Sequence, residues 1–231
     1  MTQKQENPFL SIALNIAIPS VILMKLSGED QLGPVNGLII ALAFPLIYGI
    51  YDFYDRKKVN FISILGLVSI LLTGIFTLIK LPPHWIAVKE ASIPALIGSA
   101  IIISLRTEFP LVKKLLFNES IINVDLVHEK LNSNGSESQF ERLLVQTSLL
   151  LSASFFLSSG LNYGLAKYLL TAEPGTQAFN EQLGQMTALS WPVIVLPSML
   201  VMFIALFKLV SGIKKLTGLD LEQVLHAQPK K

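Results

Sequence analysis

Residues 182–207 read QLGQMTALSWPVIVLPSMLVMFIALF, an unbroken run without one charged side chain. A helix needs about 20 mostly apolar residues to cross a hydrocarbon layer roughly 30 Å thick, rising about 1.5 Å per residue. A helix in a soluble core needs only an apolar stripe at helical spacing, so a run apolar on every face points to lipid. The same holds for 7–24, 31–51, 59–79 and 143–166, all free of Asp, Glu, Lys and Arg.

A sixth run, 91–105, is too short. As a helix it reaches roughly 22 Å, so it must begin earlier, near Ile86, and that extension carries Lys89 and Glu90 into the membrane or its outer interface. Turn and breaker residues fall between the runs, at 27–30, 55–58, 81–83 and 173–175. The expected fold is an all-α integral membrane protein. It is a bundle of six transmembrane helices within a single membrane domain, 1–231, spanning about 7–25, 32–54, 59–79, 86–105, 143–166 and 186–207. The first run follows Lys4 and Glu6, is longer than a signal h-region and lacks a small-x-small cleavage site before Lys25, so it reads as retained.

Cationic residues in short loops resist translocation. With the N-terminus inside, the far side holds only Lys25, Lys80, Lys89 and Lys167 of the 18 Lys and Arg residues. Both termini are therefore expected in the cytoplasm, with the chain in the plasma membrane. The cytoplasmic stretch 108–142 alternates Phe109, Val112, Leu115, Leu116, Ile121 and Leu126 with Lys113, Lys114, Glu119, Asp125 and Glu129. It reads either as an amphipathic helix on the lipid surface or as one packed under the bundle. Residues 132–138 read as a hinge. The tail 213–226 repeats the amphipathic pattern, with Thr217 as N-cap and Asp220 as its third residue, forming a second short cytoplasmic helix.

Composition agrees: 52% of residues are hydrophobic and 15% charged, against about 25% charged in a soluble domain. The absence of cysteine rules out disulfides, thiolate ligands and a Cys nucleophile. A net charge of +2 implies no nucleic-acid partner. His84, His128 and His226 lie in three separate loops or tails, so no metal site is expected, and GxSxG, P-loop, HExxH and Rossmann motifs are missing. The chain is read as non-enzymatic and without a cofactor, with membrane lipids as its first partner.

Gly160 and Gly164 form a GxxxG pair in the fifth span, and Gly66 and Gly74 do similar work in the third. Small residues let helices approach closely, either within one chain or across a homodimer face. Prolines 19, 45, 94, 192 and 197 interrupt four of the six spans, but not at matching places in the two halves. The candidate site is the set of polar groups at membrane depth: Asn15, Asn36, Asp52, Lys89, Glu90, Asn162 and Lys167. Lys89, Glu90, Asn162 and Lys167 lie near the outer interface. There they either snorkel to water or form an inward cluster in which Glu90 pairs with Lys89 or Lys167.

Arg56-Lys57-Lys58, the following span with Gly66 and Gly74, Lys89 opening the next, Lys113-Lys114-Leu115-Leu116 and the later Leu161-Asn162 together resemble the intracellular septation protein A family of bacterial inner-membrane proteins. The match covers about 48–162. Val88 replaces an aromatic, the loop 118–138 is expanded and the aromatic-lysine pattern is missing around 180–185, so the chain resembles a divergent member. The resemblance implies an inner-membrane protein supporting envelope integrity or septation as scaffold or interaction partner, with cell-division or envelope-elongation proteins as partners. The reading from a different class is a small carrier for a lipid-like or amphipathic solute.

Overall fold

The computed structural model describes residues 8–56, 61–107, 111, 117, 119 and 122–225, with side chains except at 8, 52–56 and 61–63. It is 84% helical and has no strand among these residues. The first helix, α1 (residues 8–26), is α-helical at Pro8–Ile12 and Ile18–Val21 and widens into π-helical turns at Ala13–Ala17 and Ile22–Leu26. Then follow α2 (Pro34–Arg56), α3 (Phe61–Leu78), α4 (Pro83–Ser104), α5 (Val124–Ser133), α6 (Glu137–Leu169) and α7 (Gln177–Ser190). A π-helical turn, Trp191–Val195, leads directly into α8 (Leu196–Thr217), and a short α9 (Leu221–Val224) follows.

Five stretches are long and apolar enough to cross a membrane: Phe9–Leu26, Pro34–Tyr51, Pro83–Ser104, Glu137–Leu169 and Gln177–Thr217. The described part of α3 adds a shorter apolar helix, Ile64–Leu78. The polarity of the surface supports a lipid solvent. Phe207 is 75% exposed and Leu200 63%, whereas Ser148 and Ser152 are each 1% exposed and Lys89 only 8%. Apolar side chains outward and polar ones inward is the arrangement hydrocarbon favours and water penalises. The chain is thus a helical protein fitting a multi-pass membrane protein.

By its contacts the chain falls into two compact units. The first comprises Met1–Ile93 and Ser159–Val195. Its core is built from Leu23 of α1, Leu38 and Ala41 of α2, Ile86 of α4, Ala166 of α6, and Phe179 and Leu183 of α7. Contacts are especially close where α7 meets α1: a Cβ on Gly184 would lie 2.8 Å from Met24 Cγ and 2.9 Å from the Ser20 carbonyl. Asn180, fully buried, donates through Nδ2 to the Pro34 carbonyl at 2.7 Å and so ties α7 to the start of α2.

The second unit comprises Pro94–Ser158 and Leu196–Lys231. Hydroxyls hold its helices together: Ser152 donates to the Gly98 carbonyl at 2.9 Å and Ser154 to the Ser198 carbonyl at 2.6 Å. In an apolar medium no water competes for such bonds. Of the two readings of the amphipathic stretch, α5 shows the packed one. Val127 and Leu131 are fully buried, in one cluster with Leu209, Ile213 and Val224. The Asn123 amide bonds the Val224 carbonyl at 2.9 Å, and the Asn134 side chain bonds the Leu216 carbonyl at 3.0 Å. Lys113 and Lys114 lie outside the described residues.

Two ends differ from expectation. Gly135, at φ 63°, turns the chain within three residues from α5 into α6, so the stretch 132–138 is the end of one helix, a tight turn at 134–136 and the start of the next. Thr217 does not cap a tail helix. It closes α8, its hydroxyl donating to the Ile213 carbonyl at 2.7 Å, before Gly218 (φ 73°) reverses the chain. The N-cap of α9 is Asp220, whose amide is accepted by Gln223 Oε1 at 2.9 Å. The segment from Ile213 is apolar on one face because it is the last turn of α8.

A candidate binding cavity

Pro83 opens α4, and Lys89 and Glu90 follow in its second turn. Neighbouring residues on a helix point about 100° apart, so the two side chains must leave in different directions. Lys89 crosses to α3 within the first unit. Its Nζ donates to Thr73 Oγ1 at 2.6 Å, to Ser69 Oγ at 3.0 Å and to the Ser69 carbonyl at 3.1 Å. Glu90 Oε1 lies 2.7 Å from the same nitrogen. An ammonium has three hydrogens to give, and four oxygens receive them, so Lys89 has no donor to spare. The lysine is packed against its neighbours instead of reaching for water. Glu90, whose side chain keeps 23% of its exposure, faces a cavity of about 360 Å³.

The described residues that line that cavity all belong to the first unit. Its apolar wall includes Ile16, Leu42, Ile70, Leu183, Met186 and Trp191. Its polar groups include Asn15, Asn162, Thr187 and Ser190 besides Glu90, Ser69 and Thr73. A volume at the lower end of the usual range for small-molecule pockets, with an apolar lining and a few convergent polar groups, is the composition of a ligand site.

Two walls are irregular helix, and proline accounts for the irregularity. Pro19 lacks an N–H, so the carbonyl of Asn15 loses its i+4 partner and the turn Ala13–Ala17 widens to π geometry. Pro192 and Pro197 deprive the carbonyls of Ala188 and Val193 in the same way around Trp191–Val195. Asn15, Ile16, Trp191 and Val195, all in these wide turns, line the cavity. π-turns inside α-helices occur frequently at functional sites.

The hydroxyl donors of Thr73, Thr187 and Ser190 are already committed, that of Thr73 to the Ser69 carbonyl at 3.0 Å. Thr187 donates to the Leu183 carbonyl at 2.9 Å and Ser190 to the Met186 carbonyl at 2.7 Å. The Asn15 amide nitrogen donates to the Ser11 carbonyl at 2.8 Å. What these groups keep is acceptor capacity.

Of the residues singled out from sequence, Asn15, Glu90 and Asn162 line the cavity, and Lys89 stands behind Glu90. Lys167 is exposed, its ammonium 5.8 Å from the Tyr163 ring centroid, and among the described residues the ion pair of Glu90 is with Lys89. Asn36 is exposed on α2, and the side chain of Asp52 lies outside the described residues. Gly74 approaches Leu42, 3.0 Å from where a Cβ would stand, whereas a Cβ at Gly66, Gly160 or Gly164 would meet no described atom within 4 Å. The close helix contacts are made instead by glycines such as Gly98 and Gly184, outside any GxxxG pair. Ser69, Thr73, Thr187, Ser190 and Trp191 were not among the site residues read from sequence. The signal for the last three was their position beside Pro192. No family model, curated protein or solved structure matches this chain.

Proposed function

We propose that this chain is a non-enzymatic carrier for a small amphipathic solute in the bacterial inner membrane, spanning it six times with both termini cytoplasmic. One observation carries this reading: a cavity of about 360 Å³ in which Glu90, held by a buried lysine, faces an apolar wall built partly from π-helical turns beside prolines. Irregular helix is tolerated at membrane depth where it borders a cavity, and π-turns inside α-helices occur frequently at functional sites. In this topology Glu90 lies roughly 10 Å from the outer end of α4, counted at about 1.5 Å per residue.

The absence of cysteine makes the test direct. Thr187→Cys or Ser190→Cys introduces one thiol into the cavity wall. A carrier exposes that thiol alternately to each side, so a membrane-impermeant maleimide should label it in right-side-out and in inverted vesicles. Labelling from one side only, or from neither, overturns the carrier reading.

The second reading, an envelope scaffold partnering division or elongation proteins, rests on the family resemblance and on the open face at Gly160 and Gly164. A helix of another protein, or of a second copy, can approach closely there. Loss of envelope integrity in Gly160→Ile, with cavity labelling unchanged, favours this reading.

A further inference from the structure

The cavity's chemistry constrains what it accepts, and the following rests on its being a ligand site. Among the described lining residues Glu90 is the one ionisable group, and its charge is met 2.7 Å away by Lys89. The pair is neutral as a unit. Every ammonium hydrogen of Lys89 is directed at Thr73, Ser69 or Glu90, so an anionic ligand finds no cationic donor without breaking the pair. A cationic ligand would add a third charge to a site already balanced, with apolar side chains around it, and burying an unbalanced charge is strongly unfavourable. On the rest of the polar wall, Thr187, Ser190 and Asn15 offer acceptors. The hydroxyls of Thr187 and Ser190 and the amide of Asn15 have given their hydrogens to Leu183, Met186 and Ser11, leaving oxygen lone pairs in the lining that Glu90 shares.

We infer that the solute carries a neutral head group rich in hydroxyl donors: a small diol- or polyol-headed amphiphile, as opposed to an ammonium, phosphate or carboxylate. Its hydroxyls donate to Glu90, Thr187 and Ser190, and its apolar body lies against Leu183, Met186 and Trp191.

Trp191 reports on the site, and the chain has only one other tryptophan, Trp85. In phosphatidylcholine vesicles the full chain carrying Trp85→Phe leaves Trp191 as sole fluorophore. Four probes with the same C8 body are titrated: 1,2-octanediol, octylammonium, octyl phosphate and octyl methyl ether, which has no donor. The expected result is a saturable change in Trp191 emission with 1,2-octanediol, at a midpoint at least tenfold lower than for the other three. Wild-type protein must give the same order, which guards against a defect of the Trp85 variant. Tighter binding of octylammonium or octyl phosphate, or equal binding of the ether, overturns the head-group inference and leaves the cavity as a ligand site. No saturable response to any probe overturns the ligand site itself, and the inference with it.

Discussion

The ammonium of Lys89 on α4 and the hydroxyl of Thr73 on α3 meet at 2.6 Å, the shortest of the bonds that hold the lysine away from water. An ion pair so placed is stabilising only while complete. Removing one partner of a buried pair typically costs about 3–5 kcal/mol, whereas replacing both by apolar groups is often neutral. Lys89→Met and Glu90→Met should therefore each lower the unfolding midpoint in mild detergent. The double variant should recover most of the loss while failing to bind solute. Additive losses in the double variant would show that the two side chains act independently.

Thr73→Val keeps the shape of the side chain and removes one acceptor from Lys89. A lost bond to a charged buried group is worth about 1.5–3 kcal/mol. Thr73→Ser, which retains the hydroxyl, should behave close to wild type. Lys25→Ala and Lys80→Ala, both at exposed lysines, should leave solute binding and thermal stability unchanged. A defect at Lys80 equal to that at Lys89 would mean that positive charge near this end of the helices in general, and not this site, is what matters.

Glycines separate the packed from the open faces. At Gly184 an added methyl would meet the Ser20 carbonyl at 2.9 Å, backbone that cannot swing aside, so Gly184→Ala should push α7 off α1. Overpacking of this kind costs about 1–3 kcal/mol. Gly160→Ala and Gly164→Ala meet no described atom and should leave the thermal midpoint unchanged or raise it, since alanine is the better helix former. A midpoint lowered at Gly160 but not at Gly184 would reverse this assignment of faces.

The long helices were legible because hydropathy is a property of consecutive residues, and consecutive residues make a helix. Lys89 and Glu90 were legible from length alone, since α4 is too short without them. Their partners were not: Ser69 and Thr73 stand 20 and 16 residues away, on another helix, and hydropathy does not encode how one helix is rotated against the next. Pro19, Pro192 and Pro197 were visible in sequence, but weighing them by symmetry between the two halves concealed that Asn15 and Trp191 beside them share one cavity wall. GxxxG spacing left two readings open for a related reason. It marks a helix face that can be approached closely, and whether anything approaches it depends on the tertiary arrangement.

The number of crossings turns on α3. Its 18 residues reach roughly 27 Å at about 1.5 Å each, slightly less than the hydrocarbon thickness, so α3 crosses only if its ends lie at the two interfaces. Lys80 lies just beyond one end and Arg56, Lys57 and Lys58 just before the other, and basic side chains can extend toward the headgroups from either position. If α3 crosses, the turn at Pro83 is external and every later loop takes the side that the distribution of lysine and arginine favours. Reporter fusions after Asp55, after Asn134 and at the C-terminus should then read cytoplasmic, and fusions after Asp30, Pro83 and Gly175 external. A cytoplasmic signal at Pro83 with an external one at Asn134 would mean that α3 turns back without crossing. That outcome would place the Lys89–Glu90 pair toward the cytoplasmic side and reverse the face from which the cavity loads.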